Sequence, residues 1–296
     1  MQKHYKQQKD YFLETKSHSL YDKVLKRPLL LYHGSKYRIA EWIISYFSQH
    51  RIFLDLFGGS ASLLLKKPRA EIEIYNDLDG EIVNLLKVVR DRGPELAQKL
   101  YLTPYARDEF KKSFTPSDDS LEQARRTMVR SFQGFGGACT TAIKGSKISS
   151  ESFRVAYKHG NRPQVSWQNL PENLLYINER LKGVCIENLD FRKALKRYNK
   201  SDVLVYADPP YLSKVRDYGK DYRFELSQSD HIELSELLHE HKGPVIISGY
   251  SSNLYDRLYK GWIRKEYLTH SLSNKKCTEI IWMNKILNYP IQGELF

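Results

Sequence analysis

Cysteine is rare in this 296-residue chain, and no apolar run is long enough to cross a membrane. The three cysteines, Cys139, Cys185 and Cys277, lie far apart and form no CxxC pair. This spacing excludes a disulfide framework and a zinc site built on paired cysteines, and it indicates a reducing compartment. Residues 1–9 are polar and basic and lack the apolar core of a secretory signal. We therefore expect a soluble, cytoplasmic protein with no membrane contact.

Acidic residues are fewer than basic residues. The chain has 47 lysines and arginines against 35 aspartates and glutamates, which gives a formal net charge of +12. An excess of positive charge favours a polyanionic partner such as nucleic acid. Many soluble proteins are basic, however, so charge alone does not separate a nucleic-acid-binding protein from the rest.

Two common nucleotide-binding signatures are missing, because the chain has neither GxGxxG nor GxxxxGK[ST]. A dinucleotide fingerprint and a P-loop nucleotidase are therefore excluded. A different strand–turn–helix pattern is present: the predicted strand 52–57 (IFLDLF) leads into the glycine turn 58–62 (GGSAS) and an apolar run. Such a turn lets a ligand approach the backbone and presents the free N–H groups of the helix that follows.

A second predicted strand, 71–75 (EIEIY), is followed by two acids, Asp77 and Asp79. An acid after the strand that follows a glycine turn is the usual ligand of a ribose diol. Asp77 is the candidate for this contact, whereas Asp79 is placed to cap the next helix. Helix capping alone, by either acid, is the alternative interpretation.

The most specific feature is the tetrapeptide DPPY at 208–211, which follows the apolar run 202–207. The run predicts a buried strand, and the two prolines make the chain leave it as a stiff, open loop. Carbonyl groups there have no helical partner and are free to accept hydrogen bonds. Asp208 and a loop carbonyl suit an exocyclic amino group of a base, with the ring of Tyr211 stacked on it. A proline-stiffened turn capped by the aspartate is the alternative.

The segment 93–182 has a different character. Gly93-Pro94 predicts the end of the preceding helix, a helical pattern covers 121–132, and a stretch rich in glycine and hydroxyl groups covers 134–147. Basic residues in this setting suit phosphate contacts. The candidates for DNA binding are Arg125, Arg126, Arg130, Lys144 and Lys147. A surface lobe with ordinary solvated charges is the alternative, and no residue is assigned to a base.

A basic loop with two tyrosines, 214–223, follows the tetrapeptide. It either closes over an extruded nucleotide or is a disordered surface loop. Beyond it, Ser227 predicts a capped helix, residues 245–248 predict a strand, and two further strands are expected around a turn at 273–276.

Four blocks occur in an order that resembles one protein family. They are residues 31–36 (LYHGSK), 53–60 (FLDLFGGS), 75–77 (YND) and 208–211 (DPPY). They resemble the Dam-like, N6-adenine-specific DNA methyltransferases, which use S-adenosyl-L-methionine and carry their cofactor motifs before the catalytic loop. Three more blocks continue the resemblance: 185–191 (CIENLDF), 245–250 (VIISGY) and 279–284 (EIIWMN).

The resemblance implies an α/β fold, a Rossmann-like class I methyltransferase core with a mostly parallel twisted sheet and a C-terminal β-hairpin. A mainly helical DNA-recognition lobe is expected to be inserted into it. Residues 1–92 would be the N-terminal arm and first part of the core, 93–182 the lobe, and 183–296 the second part of the core with the catalytic loop. The implied substrate is double-stranded DNA, and the implied reaction is methyl transfer to N6 of a flipped adenine, for which the sulfonium needs no metal.

The same resemblance implies roles for single residues. The catalytic residues would be Asp208, Pro209, Pro210 and Tyr211. The cofactor site would be lined by Tyr32, Lys36, Asp55, Phe57, Gly58, Asp77, Asp190, Phe191 and Asp208. Two departures affect this pocket: many relatives keep another glycine within the turn GGSAS, and 32–36 reads YHGSK where WAGGK is common.

Other activities remain open from the sequence. Cytosine-N4 methylation presents a similar exocyclic amine, although a serine-led loop is commoner there, and RNA adenine or protein glutamine methylation are more distant. A catalytically inactive DNA-binding homologue is a different class, against which the intact Asp208 and Tyr211 argue. The sequence does not indicate the recognised DNA word, or a role in restriction–modification, a phage or housekeeping.

The last residues, QGELF at 292–296, form a separate motif. Gln292, Leu295 and Phe296 resemble the short peptide by which bacterial replication proteins dock on the sliding clamp. Two apolar anchors and a glutamine at the pocket rim would fit that mode. The alternative is that Leu295 and Phe296 cover a seam of the chain's own core.

Overall fold

A computed structural model describes residues 27–135, 152–155, 163–212, 222–270 and 276–284. The expectations for Cys139, Lys144, Lys147 and the tail 292–296 lie outside these residues, as does most of the basic loop 214–223. The helices are α1 (Ala40–Ile44), α2 (Ser62–Lys66), α3 (Gly80–Tyr101), α4 (Arg107–Lys112), α5 (Ser120–Gln133), α6 (Pro163–Gln168), α7 (Leu170–Leu181), α8 (Phe191–Arg197), α9 (Gln228–His239) and α10 (Asn253–Leu258). The strands are β1 (Ile52–Asp55), β2 (Ile72–Asn76), β3 (Cys185–Glu187), β4 (Val203–Ala207), β5 (Val245–Gly249), β6 (Ile263–His270) and β7 (Lys276–Met283).

These strands form one sheet in the order β3-β2-β1-β4-β5-β7-β6. The first five run parallel, and β7 pairs antiparallel with both β5 and β6. Strands β1, β4 and β5 are apolar almost throughout and buried along their whole length, as expected for parallel strands covered on both faces. The predicted α/β core with a C-terminal hairpin is confirmed.

Helices cover both faces of the sheet. Successive side chains of a strand point to opposite faces, so Phe53 and Tyr206 belong to one apolar core whereas Leu54 and Val205 belong to the other. The first core is completed by α1, α2, α3, α5 and α7, and the second by α8, α9 and α10. Within the described residues, no helix combines the length and the apolar character needed to cross a membrane.

Helix α3 continues through the predicted end at Gly93-Pro94. The chain is non-helical at Arg92, with φ −134° and ψ 28°, so the helix kinks there and resumes. Pro94 has no N–H for the carbonyl of Arg90. The Asn178 amide of α7 donates instead to the carbonyls of Val89 and Arg90, both at 2.8 Å. A side chain distant in sequence thus stabilises the kink.

The described helices of segment 93–182 share the first apolar core with the sheet. Met128 and Phe132 of α5 and Leu174 and Ile177 of α7 all belong to it. Residues on either side of 136–151 are paired, because Phe135 N donates to Ser152 O at 2.8 Å and Arg154 N donates to Gln133 O at 2.7 Å. The helical character is as predicted, whereas a separate recognition lobe with boundaries at 93 and 182 stays a prediction.

Candidate active site

The strand order reverses direction between β1 and β4, which lie side by side. From β1 the chain crosses to β2 on one flank, and from β4 it crosses to β5 on the other. The loops at the carboxyl ends of these two strands therefore diverge and leave a crevice, where open α/β sheets bind ligands. Asp55 ends β1, and Asp208 follows β4 directly. The two predicted functional loops thus meet at one edge of the sheet.

A cavity of about 370 Å³ occupies this crevice. Its wall is made by the loops after β1, β2 and β4, by the segment before α1, by the start of α8 and by residues 222–226. All nine residues predicted to line the cofactor site lie in this wall: Tyr32, Lys36, Asp55, Phe57, Gly58, Asp77, Asp190, Phe191 and Asp208. The structure brings the separate sequence blocks together at one site.

The glycine turn packs directly against a buried tyrosine. Tyr75 of β2 is fully buried, and its hydroxyl donates to the carbonyl of Gly59 at 2.8 Å. A Cβ at Gly58 would lie 2.1 Å from the ring of Tyr75, so only glycine fits there without a shift. Ala61, at the end of the turn, has the left-handed φ of 55° that glycine adopts more easily. The turn is therefore shaped by close packing from below.

Two acids of the cavity wall have raised pKa values. Asp55 is 2% exposed, and burial together with the nearby Asp208 and Asp77 raises its pKa to about 8. No hydrogen bond to its carboxylate occurs within the described part of the chain. Burial also raises the pKa of Asp77, to about 6, although the N–H groups of Asp79 and Gly59 donate to its carboxylate, both at 2.8 Å. A cationic ligand would lower both pKa values.

The far end of the cavity is aromatic. Phe57 and Phe191 both line it, with ring centroids 5.9 Å apart. Asp190 also lines the wall, but its carboxylate caps α8 by accepting from Arg192 N at 2.9 Å and pairs with the Arg192 guanidinium at 3.1 Å. Asp190 therefore lies in the wall with a structural partner, and its contact with the cofactor stays a prediction.

The tetrapeptide after β4 stands between the cavity and the region beside β7. Lys36 Nζ lies 2.8 Å from Asp208 Oδ1, and Ser248 Oγ donates to the same oxygen at 2.9 Å. Although burial of the ammonium opposes it, the carboxylates of Asp208 and Glu279 raise the pKa of Lys36. Asp208 and Pro210 line the cavity, whereas the hydroxyl of Tyr211 donates to Glu279 away from it. The loop therefore lies at the boundary of the cavity, with Asp208 in the wall and Tyr211 outside it.

Several residues of the site were missed by the sequence analysis. The hydroxyls of Ser35, Ser60 and Ser62 form a closed triangle with sides of 3.0, 2.9 and 2.8 Å on the cavity wall. Ser35 and Ser60 lie in the two motifs that depart from the glycine-rich family pattern. The serines of the two motifs are in direct contact. The signal in the sequence was that both motifs carry a serine where they depart from the family pattern.

Residues 222–226 form another part of the wall. They were not among the residues predicted to line the cofactor site. Arg223 lies 2.7 Å from Asp79 and 2.8 Å from Glu81. The hydroxyl of Tyr222 donates to the carbonyl of His33 at 3.3 Å. Residues 222–226 lie against the cofactor-site loops, and closure of 214–223 over an extruded nucleotide stays a prediction.

Two of the three arginines of α5 that were predicted to contact DNA are buried and paired with acids. Arg125 is 9% exposed and pairs with Glu109 and Glu122, at 2.8 and 2.7 Å. Arg130 is 5% exposed and pairs with Glu81. Arg126 is less buried, and it pairs with Glu122 at 2.9 Å and donates to the carbonyl of Thr115 at 2.7 Å.

The acids that neutralise these arginines come from α3, α4 and α5 itself, which a local charge pattern does not reveal. The geometry argues against phosphate contacts by Arg125 and Arg130 in particular.

The chain is similar to known DNA methyltransferases over the residues that form this site. The model of the family described as D12 class N6 adenine-specific DNA methyltransferase matches residues 32–276. The DNA adenine methylase of Haemophilus influenzae is 23% identical over 267 residues, which cover 84% of this chain and 88% of that protein. The Type II methyltransferase M.CviBI of Paramecium bursaria Chlorella virus NC1A is 23% identical over 251 residues, covering 81% and 89%.

Among solved structures, an rRNA methyltransferase, aviRa from Streptomyces viridochromogenes, is similar at a TM-score of 0.40 and 13% identity, with 90% of this chain and 94% of that chain covered. At this score the likeness adds nothing to the strand order described above. The family match extends from Tyr32 to the first residue of β7 and includes each motif that lines the cavity. The family match supports adenine, not cytosine, as the methylated base. This chain belongs to the D12 class of N6 adenine-specific DNA methyltransferases.

Proposed function

We propose that this chain transfers a methyl group to N6 of an adenine extruded from double-stranded DNA, with Asp208 and Tyr211 handling the base. The observation that supports this most strongly is the position of the tetrapeptide. Asp208 lies in the wall of the cavity that carries every predicted cofactor residue, while Tyr211 lies on the other side of the loop. One loop therefore separates a cavity for the methyl donor from a place for the base.

The methyl donor is S-adenosylmethionine, and the cavity suits its chemical groups. Phe57 and Phe191 offer an apolar surface for a nucleobase, and Asp77 offers a carboxylate for a ribose diol. Asp55 is a buried acid with other carboxylates nearby, and burial raises its pKa, which suits a positively charged ligand. When bound, this cofactor supplies an electrophilic methyl group on a sulfonium. The residues present thus match the nucleobase, the ribose and the positive charge of the molecule.

Asp208 is proposed to hold the amino group of the target base. Lys36 and Ser248 both contact Oδ1 of Asp208, so Oδ2 is the oxygen proposed to accept an N6 hydrogen. The carbonyl of Pro209 is the second proposed acceptor, since a loop of two prolines leaves it without a helical partner. Two acceptors would orient the nitrogen lone pair towards the methyl group, and such positioning contributes much of the rate in transfers of this kind.

Lys36 is proposed to hold the Asp208 side chain in place for the base. Its pKa is raised by two neighbouring carboxylates, so the ammonium stays charged over the working range of pH. A counter-charge on Oδ1 stabilises the carboxylate and leaves the other oxygen for the substrate.

Tyr211 is proposed to stack on the extruded adenine. Flipping a base out of a duplex costs a few kcal/mol, and stacking on an aromatic ring returns about 1–3 kcal/mol. The ring of Tyr211 lies near Asp208 on the same short loop, so the two proposed contacts would reach one base together.

The DNA is proposed to lie against the chain near 136–151, which includes Lys144 and Lys147. The support is the sequence, rich in glycine, hydroxyl groups and lysine, and the pairing of residues 133–135 with 152–154, which brings both ends of this segment to one point. Basic side chains at such a place suit phosphate contacts.

Docking on a sliding clamp through Gln292, Leu295 and Phe296 is a further part of the proposal, supported by the sequence motif alone. Tethering would raise the effective concentration of the enzyme on newly copied DNA. Deletion of residues 292–296 should remove binding to purified clamp and leave the melting temperature unchanged. A clear fall in melting temperature would instead favour packing of the tail on the core.

The reaction is tested by incubating the purified protein with unmethylated duplex DNA and S-adenosylmethionine labelled in the methyl group. The DNA is then digested to nucleosides and separated by chromatography. We expect the label in N6-methyldeoxyadenosine. Label in N4-methyldeoxycytidine, or no label in DNA, would contradict the proposal.

A further inference from the structure

One buried acid near the catalytic loop has no role in the mechanism above. Glu279 lies on β7 and is 4% exposed. It is not among the residues that line the cofactor cavity. Burial of a carboxylate is costly unless it is paired and hydrogen-bonded, so its partners indicate why it is there.

The partners of Glu279 are the two side chains that flank Asp208. The Tyr211 hydroxyl donates a hydrogen bond to Oε1 of Glu279, and Lys36 Nζ lies 3.6 Å from the same oxygen. Lys36 Nζ also lies 2.8 Å from Asp208 Oδ1. The ammonium is therefore shared between Asp208 and Glu279, and Glu279 is linked to both proposed base-handling residues.

The ring of Tyr211 is held at three places. Its hydroxyl is bound to Glu279, Lys36 Nζ lies 4.8 Å from the ring centroid, and the ring of Tyr250 meets it at an interplanar angle of 71° with centroids 4.8 Å apart. A hydrogen bond at the far end of an aromatic side chain fixes both side-chain torsions. A ring fixed in advance loses less conformational entropy when a base stacks on it.

We propose that Glu279 is a positioning residue that sets the ring plane of Tyr211 and the ammonium of Lys36 for capture of the extruded adenine. A carboxylate serves better than a neutral acceptor, because a charge-assisted hydrogen bond is stronger and the same group balances Lys36. This inference rests on the proposed function, in which Tyr211 stacks on the target base.

The test is a double-mutant cycle between Tyr211→Phe, which removes the hydroxyl, and Glu279→Ala, measured as single-turnover methylation at saturating DNA and cofactor. Each single variant should be slower by about tenfold, as expected for the loss of a hydrogen bond to a charged group. The double variant should be no slower than Glu279→Ala alone, because Glu279→Ala has already removed the contact with the Tyr211 hydroxyl. Glu279→Gln keeps an acceptor and should retain part of the rate.

Two further measurements separate positioning from general structural damage. A substrate whose target adenine faces an abasic site has no pair to break, so it should restore much of the rate of Glu279→Ala and Tyr211→Phe. Cofactor affinity, measured by calorimetry, should be unchanged in Tyr211→Phe. Glu266→Gln on the neighbouring strand β6 removes an exposed acid and should behave as the wild type in all assays.

Three outcomes would overturn the inference. If Tyr211→Phe methylates at the wild-type rate while Tyr211→Ala is inactive, stacking stands and the Glu279 contact has no function. Fully additive effects in the cycle, or no gain on the abasic-site substrate, would also contradict it. If Tyr211→Ala itself were fully active, the proposed function would fail instead.

Discussion

Asp55 and Asp208 are two carboxylates of one cavity with opposite surroundings. Asp208 has an ammonium 2.8 Å from one oxygen and a serine hydroxyl on the same atom. Asp55 is buried with other acids nearby, and its pKa is about 8. The protein therefore supplies Asp208 with a counter-charge, whereas Asp55 is the acid proposed to face a cationic ligand.

A pH dependence follows from Asp55. Its folded-state pKa of about 8 lies above the ordinary 3.8, so the folded chain binds the extra proton and the cofactor-free protein loses stability as the pH rises between these values. A cationic cofactor lowers this pKa and releases the proton. Affinity for S-adenosylmethionine should therefore rise with pH up to about 8.

Asp55→Asn should flatten both dependences, since an amide does not titrate. Calorimetry in buffers of different ionisation enthalpy would show proton release on binding in the wild type and less of it in the variant. Equal proton release in both proteins would assign the titration to another group.

Gly58 is a position where a side chain does not fit. A Cβ there would lie 2.1 Å from the Tyr75 ring, which is fully buried and tied to Gly59. Gly58→Ala should destabilise the fold by about 1–3 kcal/mol, the usual cost of overpacking, and should weaken cofactor binding. Gly80→Ala is the matched control, because its Cβ would have no neighbour closer than 3.7 Å. Equal urea-unfolding midpoints for the two variants would contradict this reading.

At the scale of elements, the kink in α3 shows what the sequence determines and what it leaves open. Gly93-Pro94 marks an interruption of the helix, and the interruption is present at Arg92. The sequence does not show that the helix resumes, because the compensating donor, Asn178, lies 88 residues from Arg90 along the chain. Long-range hydrogen bonds of this kind are invisible to local patterns.

Removal of that donor should be costly. Asn178→Ala would leave the buried carbonyls of Val89 and Arg90 without the amide, at about 1–3 kcal/mol for an unsatisfied buried group. Asn173→Ala on the same helix removes one longer bond, 3.3 Å to the carbonyl of Arg27, and should cost less. Urea denaturation of both variants measures the difference. A smaller loss for Asn178→Ala than for Asn173→Ala would contradict the role of Asn178 at the kink.

At the scale of the whole molecule, the fold and the cavity followed from the sequence, whereas the charged surface did not. The strand pattern and the ordered blocks predicted the parallel sheet, and all nine predicted cofactor residues meet in one wall. The prediction for Arg125 and Arg130 was wrong in its assumption of exposure, because acids from α3 and α4 neutralise them. Glu279 was overlooked because its function depends on contacts between β7 and two distant loops.

This correction changes where DNA affinity is expected. Replacement of both Lys144 and Lys147 by glutamine should reduce the slope of log affinity against log salt by about 2, since each phosphate contact releases about one counterion. Lys193 and Lys196 are exposed on α8, which packs on the face of the sheet opposite α5. Their replacement by glutamine removes the same charge and should leave the slope nearly unchanged. Fluorescence anisotropy with duplex DNA over a salt series measures both. Equal slopes for the two double variants would remove 136–151 from the interface.

The central claim is that Asp208 orients the amino group of an extruded adenine. Single-turnover methylation of duplex DNA that the wild type modifies, at saturating cofactor, tests it in the Asp208→Ala variant. We expect a rate lower by about 10²–10³-fold, the usual effect of removing one oriented contact to the reacting group, with a circular dichroism spectrum like that of the wild type. A folded Asp208→Ala protein that methylates adenine at the wild-type rate would contradict the account.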